Sequence, residues 1–183
     1  MQKATQMTAT KRLVLTAVNI ALCLVLPMAF HSIPNGGKIM LPMHIPVLLC
    51  GMVCGAPYGA VCGLLGPMLS SVLTGMPTAA LMPAMMVECA AYGLTTGLML
   101  RLVRTGKTYA DLYLSLVAAM LVGRLVSGVT KALFFMAGQY TMQAWIAASF
   151  VTALPGIVLQ LAVVPSIVYY LMRAGLTPQR YPR

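Results

Sequence analysis

Between Leu13 and Leu100 the chain carries only two charged side chains, Lys38 and Glu88. A soluble domain needs far more to face water, about 25% of its residues. Here 8% of 183 residues are charged and 60% are hydrophobic. Apolar runs recur along nearly the whole length, so the solvent these residues meet is lipid. The sequence therefore predicts an all-α integral membrane protein, a compact helical bundle in a single transmembrane domain over residues 1–183.

Turn residues and charges mark off six apolar segments, at about 12–30, 41–55, 58–74, 79–100, 110–136 and 144–172. The first ends near Pro27 and the stretch His31-Ser-Ile-Pro-Asn-Gly-Gly37, a loop by its Pro, Asn and Gly content. It is longer than a signal-peptide core and is followed by no small-residue cleavage site, so it reads as a retained helix. The second and third are separated only by Gly55-Ala-Pro-Tyr-Gly59. Both fall short of the roughly 20 residues a spanning helix needs, which predicts tilt, partly buried loop or incomplete crossing.

Charge orients the six spans. With the amino terminus inside, Lys3, Lys11, Arg12, Arg101, Arg104, Lys107, Arg173, Arg180 and Arg183 fall on the cytoplasmic side, and only Lys38 falls in an external loop. The positive-inside rule then predicts both termini in the cytoplasm of a multi-pass protein of the cell membrane. The net charge of +10 is thereby spent on topology, and nucleic acid is excluded as a partner. Cys23, Cys50, Cys54, Cys62 and Cys89 all sit in apolar segments with no C-x-x-C pair, and read as small hydrophobes rather than as disulfides or metal ligands.

Glycines recur at Gly51, Gly55, Gly59 and Gly63, with Gly66 close behind. Four-residue spacing lets helix backbones approach, but the turn at Pro57 divides the pattern into two short small-residue faces. Either they pack a tight hairpin or they reflect the general frequency of glycine in membrane helices. Ala17 and Ala21 form a second small-xxx-small pattern on the first helix. The sixteen methionines add adaptable packing and no chemistry.

A charged side chain at the bilayer centre costs roughly 2.5–3.5 kcal/mol or more. Glu88 in the fourth segment and Arg124 and Lys131 in the fifth incur that cost. Arg124 and Lys131 share a helix face about 10 Å apart, with Ser127 and the side-chain gap of Gly128 between them, like a cavity wall. Glu88 is expected to neutralise one of the two, leaving a spare cation for an anionic or strongly polar part of a ligand. The alternative is a Glu–Arg pair that locks two helices, with Lys131 snorkelling to the interface. Lys38 and His44 belong to the first external loop and its return, and Asn35-Gly-Gly37 would let that loop act as a lid. No catalytic set, metal-ligand pattern, cofactor motif or phosphate loop appears. Energy for active transport would come from an ion gradient or a separate ATPase.

The stretch Met43-His-Ile-Pro-Val-Leu-Leu-Cys-Gly51, then Gly55-Ala-Pro-Tyr-Gly59 and Gly63-Leu-Leu-Gly-Pro-Met-Leu-Ser70, together with Thr74-Gly-Met-Pro77 and Glu88-Cys-Ala-Ala-Tyr-Gly93, resembles the substrate-binding S-components of energy-coupling factor (ECF) transporters. The resemblance implies a six-helix, non-enzymatic subunit that captures a vitamin or related micronutrient on the outer side. Its implied partners are a transmembrane coupling subunit and two cytoplasmic ATPases, with Ala17 and Ala21 in the pattern that docks on the coupling subunit. It places Glu88, Tyr92, Arg124 and Lys131 at the substrate site, with Asn35, Lys38 and His44 above it. The excess positive charge favours a carboxylate-bearing compound such as pantothenate; riboflavin, a pyrimidine or a purine-like precursor stays open.

Two other readings stand beside this one. A small oligomeric channel or ion-coupled permease would need a continuous polar pathway, whereas the polar residues gather on the fourth and fifth segments. An intramembrane enzyme would use Glu88 and His44 as acid and base, and nothing in their spacing supports that.

Overall fold

A computed structural model describes residues 7–30, 36–135, 141–178 and 181, without the side chains of Lys38 and Phe135. Among the described residues all regular structure is helical: α1 (Ala9–Ala29), α2 (Gly36–Met40), α3 (His44–Cys54), α4 (Ala56–Thr74), α5 (Met82–Leu102), α6 (Thr108–Thr130), α7 (Met142–Ile146) and α8 (Leu154–Arg173). Two π-helical turns interrupt the series, Lys131–Phe135 after α6 and Ala147–Thr152 after α7. The fifth apolar segment is therefore α6 plus a π turn, and the sixth is α7, a π turn and α8, broken at Ala153. Of the second segment, α3 occupies only 11 residues.

Among the described residues four helices are long and apolar enough to cross a membrane: Ala9–Ala29, Ala56–Thr74, Thr108–Phe134 and Leu154–Arg173. Helix α5 has 21 residues but is not among them, for a physical reason. It packs against α3, α4 and α6, and its buried side includes Tyr92, Thr95 and Thr96. Only Val87, Leu94, Leu98 and Leu102 form an exposed apolar stripe, at the spacing of one helix face. A helix enclosed by protein needs less apolar surface than one bathed in lipid.

Glycine sets the spacing of this central layer. Gly55, at φ 100°, turns the chain from α3 into α4, a backbone conformation that other residues rarely adopt. Pro57 stands in the first turn of α4, where its missing N–H is no loss. A Cβ on Gly59 would strike the Gly93 carbonyl and the Gly51 Cα; one on Gly63 would strike the Cys89 carbonyl; one on Gly97 would strike Ala56 and Gly51. The two glycine faces of α3 and α4 thus pack on each other and on a third, Gly93-Leu-Thr-Thr-Gly97 of α5. That third face is also small-xxx-small.

The two ends of the bundle differ. At one end the buried carboxylate of Asp111 accepts from the Thr105 N–H at 2.8 Å and the Thr105 hydroxyl at 2.7 Å, while Tyr181 donates to its other oxygen at 2.8 Å. Gly106 donates its N–H to Tyr181 Oη at 3.0 Å. This joins the α5–α6 loop to the segment after α8. Arg101, Arg104, Lys107 and Arg173 lie around it, exposed. The start of α1 lies at this end too, since Thr16 meets the Cys50 thiol near the end of α3 at 3.6 Å. The start of α3, the first half of α5 and the end of α6 form the opposite end.

Candidate functional site

Helix α5 holds Glu88 between the start of α3 and the end of α6. Ser127 donates to Glu88 Oε2 at 2.6 Å, and Lys131 Nζ reaches the same oxygen at 3.4 Å. On the other side of the carboxylate, His44 Nε2 lies 3.6 Å from Oε1. His44 is buried at the first position of α3, and its ring stands edge-on to Tyr92 at 5.0 Å. Tyr92 in turn fills the space left by Gly123, where a Cβ would strike its ring. The sequence predicted that Glu88 neutralises Arg124 or Lys131; the partner is Lys131.

Arg124 has a different environment. It is buried on the inner face of α6. Its Nη1 donates to the carbonyl of Ser149, and its guanidinium lies over the Phe150 ring, 5.6 Å from the centroid. Its Nη2 has no hydrogen-bond partner among the described residues. The chain has only two acidic side chains, Glu88 and Asp111, and Asp111 is engaged at the far end. An Arg with no carboxylate beside it is an uncommon thing to bury.

Both π turns deliver residues to this cluster. Lys131 opens the first; Ser149 and Phe150 lie in the second. Within the second, Ala153 donates its N–H to Val151 O, while the Ser149 carbonyl accepts from Arg124. π turns concentrate at functional sites because the extra residue redirects backbone groups out of the i→i+4 ladder.

The gap predicted beside Gly128 is not open. The indole of Trp145 occupies it: a Cβ on Gly128 would strike the ring. Trp145 Nε1 also donates to the Arg124 carbonyl at 3.1 Å, and its ring meets Phe150 edge-on at 5.7 Å. So the wall of the site is aromatic where a void was expected. Trp145, Ser149 and Phe150 were missing from the sequence-predicted set. The missing side chain of Gly128 was a legible signal that something packs there, but not what.

The structure thus brings together Glu88, Tyr92, Arg124, Lys131 and His44 out of the predicted site. Asn35 lies outside the described residues, as does the side chain of Lys38, whose backbone belongs to α2. That short helix abuts α8, where a Cβ on Gly156 would strike the backbone of Ile39 and Met40. Ala17 and Ala21 lie on the exposed face of α1, whose buried face carries Thr16, Asn19 and Cys23. Among the described residues no group of three or more His, Cys, Asp or Glu side chains is placed to hold a metal ion.

Comparison with known proteins gives one family. The family model of the ECF transporter substrate-specific component matches residues 11–168. Neither curated proteins nor solved structures gave a match. The matched stretch runs from the first turn of α1 to three quarters of the way along α8 and includes every member of the Glu88–Arg124 cluster. The chain belongs to the substrate-specific components of ECF transporters, membrane subunits that bind a small-molecule substrate for transport.

Proposed function

We propose that the Glu88–Arg124–Lys131 cluster is the substrate site and that the substrate is a carboxylate-bearing micronutrient of the vitamin class, with pantothenate the first candidate. The observation that carries this reading is Arg124. Its guanidinium is buried, no carboxylate of the chain stands beside it, and Nη2 lacks a hydrogen-bond partner among the described residues. A ligand carboxylate would supply both the charge and the acceptor, and Arg presents its donors in a fork that suits one. Glu88, already shared by Lys131, Ser127 and His44, would hold the remaining polar groups in position. Tyr92, Trp145 and Phe150 supply apolar wall. Asn35 and Lys38 would close over the site from the first loop.

The reading extends to topology and partners. Six crossings would comprise α1, α3, α4, α5, α6 with its π turn, and α7–α8, with α3 and α5 enclosed by the others. Lys11, Arg12, Arg101, Arg104, Lys107 and Arg173 gather at the Asp111 end, which would make that end cytoplasmic and place the substrate cluster toward the outside of the plasma membrane. Ala17 and Ala21 sit on an open face of α1 among Leu13, Val14, Val18 and Val25. That face would dock on the transmembrane coupling subunit, which carries the pair of cytoplasmic ATPases.

The test is ligand affinity in purified variants. Arg124→Gln and Lys131→Met should each weaken binding of a carboxylate-bearing ligand by tenfold or more, taking about 1.5–3 kcal/mol for a hydrogen bond to a charged group. Wild-type affinity in both variants would refute the assignment. Uptake by the chain alone in liposomes without ATPases would instead favour a channel or permease.

A further inference from the structure

A concave site lies at the Asp111 end, away from the Glu88–Arg124 cluster. Twelve residues of α5, about 18 Å of helix rise, separate Glu88 from Leu100. A cleft of about 300 Å³ opens there between the last turns of α3, α5 and α8. Its floor is apolar: Met52, Leu100 and Met172, all buried. Its polar lining comprises Arg104, Thr177 and Tyr181.

The two halves of this lining ask for different things. Thr177 is 6% exposed, and its hydroxyl has no hydrogen-bond partner among the described residues, which is costly unless something supplies one. Arg104 brings a positive charge; exposed Arg101 and Lys107 stand near it in the sequence, and exposed Arg173 closes α8 at the same end. Asp111, buried with its oxygens bonded by Thr105 and Tyr181, is a single negative charge at an end that carries Arg101, Arg104, Lys107 and Arg173. An occupant must therefore join an anion to an apolar body. A free phosphate satisfies the rim and leaves the methionine and leucine floor uncovered; a neutral lipid does the reverse.

We propose that this cleft binds one anionic phospholipid, its phosphodiester against Arg104 and Thr177 and its glycerol and first acyl carbons on Met52, Leu100 and Met172. Basic clefts between transmembrane helices are suited to such headgroups, and the lipid is present at high local concentration. Binding would tie α3, α5 and α8 together at the end that carries the positive charge. The proposal stands apart from the substrate assignment, since no residue is shared between the two sites.

The test is thermal stability and retained lipid, by melting curves and native mass spectrometry, for the purified full chain. Phosphatidylglycerol, phosphatidylcholine and inorganic phosphate are titrated separately. Phosphatidylglycerol should raise the melting temperature and survive as a one-lipid adduct; the other two should not. Arg104→Gln should weaken phosphatidylglycerol binding about fivefold, the effect of one basic residue at an anionic surface, and Thr177→Val should weaken it as well. Arg101→Gln, outside the cleft lining, should bind like wild type. Equal binding of phosphatidylcholine, equal stabilisation by phosphate alone, or wild-type binding by Thr177→Val and a folded Arg104→Gln would overturn the proposal. Should Arg104→Gln fail to fold, the Thr177→Val affinity decides.

Discussion

Lys131 Nζ stands 3.4 Å from Glu88 Oε2, and the pair joins the first π turn to α5. Glu88 is largely buried, whereas Lys131 is 28% exposed. The two partners are thus unequal. Lys131 can withdraw along its stem toward the membrane surface if the pair breaks, and Glu88 cannot.

That asymmetry gives a first prediction. Lys131→Met should destabilise the fold more than Glu88→Gln, because it strands a buried carboxylate while the reverse leaves a mobile ammonium. A double-mutant cycle of the two, followed by unfolding in detergent, should give a coupling of about 0.5–3 kcal/mol. Strictly additive effects would show that the contact contributes nothing.

Glycine packing gives the second. A Cβ on Gly93 would strike the backbone carbonyl of Gly59, whereas one on Gly37 meets nothing within 4 Å. Gly93→Ala must push α4 and α5 apart and should cost about 1–3 kcal/mol, the usual range for overpacking. Gly37→Ala should be neutral or slightly stabilising, since it is exposed in a helix. Melting temperatures of the two variants check this; equal values would contradict the close approach of α4 and α5.

Trp145 supplies the third. It is the only tryptophan of the chain, and it packs on Gly128 and bonds to the Arg124 carbonyl. Its fluorescence therefore reports on the cluster alone. A ligand carboxylate arriving at Arg124 should shift or quench the emission with a saturable dependence on concentration. Gly128→Ala should displace the indole, change the emission before any ligand is added, and weaken ligand binding. Unchanged emission in Gly128→Ala would mean that the indole does not rest there.

The fourth concerns α1. Ala17→Trp with Ala21→Trp places bulk on an exposed face and touches no buried residue. Substrate binding and melting temperature should stay at wild-type values, while co-purification with the coupling subunit and ATP-dependent uptake should fall. Loss of substrate binding would instead place the face within the fold.

The helical class, the membrane setting and the charged residues carried on helices were legible in the sequence because each rests on a local rule: apolar length, scarcity of charge, the cost of burying an ion. What was not legible rests on contacts between distant segments. The glycine pattern on α3 and α4 could be read, but its third partner, Gly93 and Gly97, lies on another helix, α5. Arg124 and Lys131 share a face by helical geometry, yet which of them meets Glu88 depends on the π turn at Lys131, which apolar periodicity does not reveal. The Gly128 gap was visible; the aromatic side chains that line it come from a segment with no charge or motif to mark it. Helix α5 is central by packing, and its modest hydropathy makes sense only once its neighbours are known.

Substrate capture by a buried Arg124 that lacks an anionic partner is open to a direct check: mass spectrometry of the small molecules released on denaturing the detergent-purified protein. A carboxylate-bearing micronutrient should appear in stoichiometric amount with the wild-type chain and be lost from Arg124→Gln. A stoichiometric compound with no anionic group, or the same compound retained in full by Arg124→Gln, would contradict it.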